Sequence, residues 1–220
     1  MMADQSLKPV IDKLENLFSK FNEEFFGGEL EKPIITVSPD TTKGAYGWCT
    51  AWKAWSDKEP KKFSELKPEE IEALKSEGFY EINLCAEHLA RSFENVAETL
   101  LHEMVHLYNL QVGVQDTSRG GTYHNKKYKA AAEQRGLNVE QDSKYGWTKT
   151  SLNSEAKAFV DSLANTKFQL FRKQIPNFGG KTSKQSTRKY VCPMCGCIIR
   201  ATKEVHVLCV DCDAEFEEAE

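Results

Sequence analysis

His102-Glu103-Met104-Val105-His106 sets two imidazoles four residues apart, so on a helix they share a face and can hold one metal ion. Neutral imidazoles suit zinc, and three protein ligands leave a fourth position open for chemistry. A carboxylate beside that position can take a proton from water and pass it to a leaving amine, which assigns Glu103 the role of general acid and base. A short pattern of this kind also arises on ordinary surface helices, so a third ligand decides the matter. His124 is the leading candidate: it lies 18 residues past His106, after Gly113 and Gly120-Gly121, where the loop can fold it back. Glu133 and Glu140 are the alternatives. A metzincin-type arrangement is excluded, because Asn109 and Val112 stand where that pattern has Gly and His. Tyr123 and Tyr128 are candidate oxyanion donors.

A second cluster follows near the carboxy terminus. Cys192-Pro193-Met194-Cys195 and Cys209-Val210-Asp211-Cys212 are separated by 13 residues, close to the spacing of a zinc ribbon. Four thiolates with no open position make a structural site. Cys197 and His206 could exchange in as ligands, though an extra thiol and a solvent-facing imidazole are the expected roles. A module this small depends on its metal to fold. Cys49 and Cys85 fall in predicted strands and read as small buried hydrophobes.

The motif helix starts at a Ser92 cap and runs to about Val112. Val96, Leu100, Leu101, Met104, Val105, Leu107 and Tyr108 fill one half of it, while Thr99, His102 and His106 fall on the other. The helix can therefore bury one side and show the histidines to a cleft. Ahead of it, a helix is predicted over Pro9–Phe26 with a stop at Gly27-Gly28. Strands are predicted over Ile34–Val37, Tyr46–Trp52 and Tyr80–Cys85. The polar stretch from Trp55 to Gly78 reads as a surface insertion with a short helix near Pro68–Leu74. Later helices span about Asn125–Gln134 and Ser154–Leu163.

A chain of 220 residues, 40% apolar and 28% charged, suits one full core plus a small second module. We expect a domain over 1–172, a basic linker over 173–189 and a zinc ribbon with an acidic tail over 190–220. Net charge is −4, yet no Asp or Glu occurs from Ser162 to Lys203, where Lys167, Arg172, Lys173, Lys181, Lys184, Arg188, Lys189, Arg200 and Lys203 contribute nine positive charges. The last 17 residues carry seven acids and no Lys or Arg, and this tail could cover the basic stretch. The start of the chain lacks an apolar leader, and no run of about 18 apolar residues occurs, so a cytoplasmic protein without membrane contact is expected. A monomer is expected.

Phe21-Asn22-Glu23-Glu24-Phe25-Phe26-Gly27-Gly28-Glu29-Leu30 and Ala97-Glu98-Thr99-Leu100-Leu101-His102-Glu103-Met104-Val105-His106 resemble the opening signature and active-site helix of the SprT-like metalloprotease family, which includes bacterial SprT and Spartan-like proteins. The likeness covers about residues 8 to 140, and the ribbon extends it. It implies an α+β zincin-like domain, with a small sheet beside an active-site helix, plus a carboxy-terminal zinc ribbon. His102, His106 and His124 would be ligands of a catalytic zinc and Glu103 the catalytic residue; Cys192, Cys195, Cys209 and Cys212 would hold a structural zinc. Several members flank the third histidine with glycines, whereas Thr122-Tyr123 precede it here, and Tyr128 replaces a common Phe. Spartan-like members act on proteins crosslinked to DNA, which makes a protein substrate and DNA, single-stranded or carrying crosslinked protein, the expected partners. The reading from another class is a DNA-binding or regulatory zinc protein that cleaves nothing.

Overall fold

A computed structural model describes residues 6–39, 44–59, 66–163, 168, 170–173 and 187–219. The chain divides into two units, Met1–Gln174 and Ile175–Glu220. Most of the predicted basic linker, residues 174–186, lies outside the described residues, as does Lys167. No helix among the described residues is long and apolar enough to cross a membrane.

The first unit opens with α1 (Lys8–Phe26), whose Val10, Leu14, Leu17, Phe18 and Phe21 recur at helical spacing and are all buried. It ends where Gly27 takes a left-handed conformation. β1 (Ile34–Ser38), β2 (Gly47–Cys49), α2 (Pro68–Ser76) and β3 (Glu81–Cys85) follow. β3 pairs in parallel with β1 and antiparallel with β2, so β2 forms an edge. β2 is shorter than the strand predicted over 46–52. Its partner β3 begins at Glu81, where Thr50 N–H meets the Glu81 carbonyl, and further on the chain meets the segment before β3 through an isolated bridge between Trp55 and Phe79.

α3 (Phe93–Gln111) is the motif helix, and the Ser92 hydroxyl accepts from Asn95 N–H at its start. Its apolar half packs with α1 and the sheet in one continuous core that includes Phe18, Phe21, Ile82, Leu84, Leu100, Met104 and Leu107. β4 (Thr117–Ser118), β5 (Tyr123–His124), α4 (Lys126–Glu133), β6 (Leu137–Asp142), β7 (Gly146–Leu152) and α5 (Ser154–Ser162) complete the unit. Sequence periodicity had suggested no strand here. Yet these residues form a second sheet in the order β4-β5-β7-β6, with Leu137, Val139 and Leu152 turned into the core. The mixed α/β architecture with small sheets that the sequence led us to expect is present.

The second unit holds β8 (Arg188–Val191), β9 (Ile198–Ala201), β10 (Leu208–Cys209), β11 (Ala214–Glu215) and β12 (Glu217–Ala219). Two small sheets result, β12-β8-β9 and β10-β11. Their apolar centre is Tyr190, Cys192, Cys209 and Phe216, too little to hold a fold by area alone. The acidic tail is thus no loose appendage. It supplies β11, β12 and the buried Phe216, and Arg188 meets Glu218 at 3.1 Å.

Candidate metal centre

Three elements bring three imidazoles to one point. His102 and His106 project from the same face of α3, one turn apart, and His124 arrives on β5. β5 is fixed on both sides: His124 pairs with Thr117 of β4 and with Gly146 of β7, and its N–H donates to the Tyr145 carbonyl. Asn125 then caps α4 through its side-chain oxygen and donates its own N–H to the Asp116 carbonyl. His124 Nε2 lies 3.2 Å from His102 Nε2 and 3.0 Å from His106 Nε2. Two ligand nitrogens about 2.0 Å from a tetrahedral zinc would stand roughly 3.3 Å apart, so the spacing fits.

Proton bookkeeping makes the same point. Asp116 Oδ2 lies 2.7 Å from His106 Nδ1 and accepts its proton, and Asn109 Nδ2 donates to the same oxygen at 2.9 Å. His102 Nδ1 lies 3.0 Å from Thr150 Oγ1, and the Thr150 hydroxyl donates to Glu98. Both rings thereby carry their proton on Nδ1 and turn a bare Nε2 lone pair to the centre. His124 has one ring proton at most to offer from Nε2 and cannot satisfy both neighbours. A cation among the three nitrogens would. The ring of Tyr128 lies under all three, with centroid separations of 4.8, 4.6 and 4.7 Å to His102, His106 and His124.

Electrostatics favours neutral ligands at two positions. Burial, with the neighbouring His106 and His124, holds His102 well below the usual histidine range, and burial lowers His124 to about 4. Burial also acts to lower His106, but the Asp116 hydrogen bond and the charges of Glu103 and Asp116 outweigh it, so that ring is raised. Glu103 is pushed up to about 7, chiefly by burial, with His106 and the backbone N–H of Cys49 opposing the rise. The edge strand β2 can come this close because position 47 is glycine: a methyl there would stand 2.7 Å from the Asn83 carbonyl oxygen and 3.4 Å from Glu103 Cγ.

The histidines and Glu103 line a cleft of about 580 Å³, walled by Tyr46–Cys49 on one side and Thr148–Thr150 on the other. Tyr123 and Tyr128 are not among its lining residues. Arg119 stacks on the Tyr123 ring, and Tyr128 is fully buried with its hydroxyl unpartnered among the described residues, so neither is placed to meet an oxyanion. Glu133 pairs with Lys129, Glu140 is exposed on β6, and neither joins the group of converging ligand atoms. Cys49 lines the cleft beside Glu103, whereas Cys85 is buried as expected.

In the second unit the Sγ atoms of Cys192, Cys195, Cys209 and Cys212 lie within 4.8 Å of one another. Backbone N–H groups of the first knuckle lower Cys192 to about 7, which helps present a thiolate. Cys197 is exposed and outside this group, and His206 points to solvent against Glu215. Asp116, Asn109 and Thr150 carry no motif in the sequence, and Glu98 stands there only inside the stretch that resembles the active-site helix. Only a carboxylate between two ligand histidines, as Asp116 is, could have drawn attention.

A family model described as the SprT-like family matches residues 14–146. Comparisons with curated proteins and with solved structures each gave no match.

Proposed function

Because the chain belongs to the SprT-like family, whose domain is a zincin-like fold, we propose that it is a zinc-dependent endopeptidase acting on DNA-associated or DNA-crosslinked proteins. The observation that carries this reading is the convergence of three imidazole Nε2 atoms beside a buried carboxyl poised near neutrality, all in one open cleft. His102, His106 and His124 would hold the ion. When bound, zinc would polarise the scissile carbonyl and acidify water. Glu103 holds a proton on its carboxyl and, with a pKa near 7, can both accept and return one at neutral pH. β2 keeps Glu103 in place through the Cys49 N–H, and Asp116 keeps the His106 ring from turning.

The four cysteines of the second unit fit a structural zinc ribbon. Support for a nucleic-acid partner comes from β8 and β9, where Lys189 and Arg200 face each other across the ladder. Like charges directly opposite are unfavourable unless an anion joins them, and a phosphate backbone supplies one.

Zinc stoichiometry and cleavage together test the proposal. Wild type should hold two zinc ions per chain and His124→Ala about one, while Glu103→Gln keeps both and loses cleavage of DNA-bound protein by roughly 100-fold or more. Assays with and without single-stranded DNA tell whether nucleic acid activates the reaction. One zinc ion in wild type and variant alike, with no cleavage, would leave the regulatory binding protein as the reading.

A further inference from the structure

The three converging imidazoles differ in what stands behind each of them. His106 Nδ1 meets the Asp116 carboxylate directly. His124 Nδ1 is buried and has no hydrogen-bond partner among the described residues. His102 Nδ1 reaches a carboxylate only through a hydroxyl: it lies 3.0 Å from Thr150 Oγ1, and Thr150 donates to Glu98 Oε1. A hydroxyl has a single proton. With that proton committed to Glu98, Thr150 can only accept from His102, which fixes the His102 proton on Nδ1 and leaves Nε2 bare.

The placement of the parts is specific. Glu98 precedes His102 by one turn of α3 and so shares its face, lining the same cleft. Thr150 comes from β7, on the hairpin opposite, in register with Val139 of β6. It lies beyond residues 14–146, the span that the family model matches. Burial raises the Glu98 carboxyl, and the Thr150 hydrogen bond and the charge of Arg91, whose guanidinium donates to Thr99 Oγ1 at 2.9 Å, oppose that rise and favour the carboxylate.

Resting on the zinc reading above, we propose that Thr150 and Glu98 are positioning residues for the metal, holding the ring and tautomer of His102 and making the β6–β7 hairpin part of the metal centre. His102 would then present a ring already turned, with a bare Nε2, to a zinc ion. Without the hydroxyl, the ring is free to rotate and to move its proton to the nitrogen that must bind. Loss of such an outer partner typically costs about 10–100-fold in metal affinity.

Thr150→Val keeps the shape and removes the hydroxyl, and Thr150→Ser restores the hydroxyl alone. Full-length wild type and both variants would be titrated with a chelator while retained zinc is counted. Visible absorption after cobalt replaces zinc would report the ligand geometry, and the stability of the zinc-free proteins would be compared. Thr150→Val should surrender one of its two metal ions at roughly 10–100-fold lower chelator and shift the cobalt bands, with Thr150→Ser close to wild type. Glu98→Gln, which keeps an acceptor oxygen for Thr150, should fall between them. Release of both ions at the wild-type chelator concentration from Thr150→Val, with unchanged cobalt bands, overturns the inference. So does a loss of zinc-free stability that accounts for the whole effect, since that would make Thr150 a strap between hairpin and helix. A wild type holding only the cysteine-bound ion would instead remove the zinc reading itself.

Discussion

At the scale of single residues, the site is defined by what surrounds each titratable group more than by the group itself. Glu103 shows this most directly. Its folded pKa of about 7 stands above the ordinary 4.5, because a buried carboxylate lacks water and Glu98 and Asp116 add like charge. A raised carboxyl contributes stability that is fully present below the unfolded value and is lost as pH rises through the folded one. In zinc-free protein, wild type should therefore weaken relative to Glu103→Gln between about pH 4.5 and pH 7, by on the order of 3 kcal/mol at pH 8. All four tryptophans lie in the first unit, so denaturant midpoints read by their fluorescence report that unit alone. Equal midpoints at pH 8 would mean that Glu103 is not ionised in a dry site.

At the scale of elements, a ligand is only as good as the strand that delivers it, and β5 is two residues long. It is seated by Gly146, whose φ of +76° suits glycine and whose missing side chain leaves room for the His124 backbone. A methyl there would stand 2.2 Å from the His124 carbonyl oxygen and 2.9 Å from the Tyr123 ring. Gly146→Ala should push His124 out of the cluster, dropping zinc from two ions to about one while far-ultraviolet circular dichroism keeps the helices. Two retained ions would show that β5 can shift without loss of the site. The sequence made α1 and α3 readable because their buried residues recur at helical spacing, and the Nε2 atoms of His102 and His106 follow from the four-residue interval. The β6–β7 hairpin was not readable. Asn138, Glu140, Gln141 and Asp142 are poor strand formers, and the pairing that turns Leu137 and Val139 inward is set by contacts with α4 and α3 rather than by local preference. Asp116 and Thr150 were hidden for a related reason: they approach His106 and His102 through tertiary folding, across 10 and 48 residues, and no periodicity encodes that.

At the scale of the whole molecule, charge is segregated along the chain and then partly recombined within the second unit. Arg188 meets Glu218 at 3.1 Å and Glu204 at 3.9 Å, all on partly exposed side chains, so these pairs are weak and salt-sensitive and an incoming phosphate could replace them. Deleting residues 213–220 would be a poor probe of this competition, because it also removes β11, β12 and the buried Phe216 on which the small core depends. Neutralising the acids leaves that framework standing. Glu204→Gln with Glu218→Gln should tighten binding to single-stranded DNA several-fold at low salt and steepen the dependence of log affinity on log salt by roughly 0.7, the increment for one more phosphate contact on a single strand. Binding by fluorescence anisotropy over a salt series measures both quantities. An unchanged slope would mean that Arg188 makes no contact with phosphate, and its pairs with Glu204 and Glu218 would then compete with no nucleic acid.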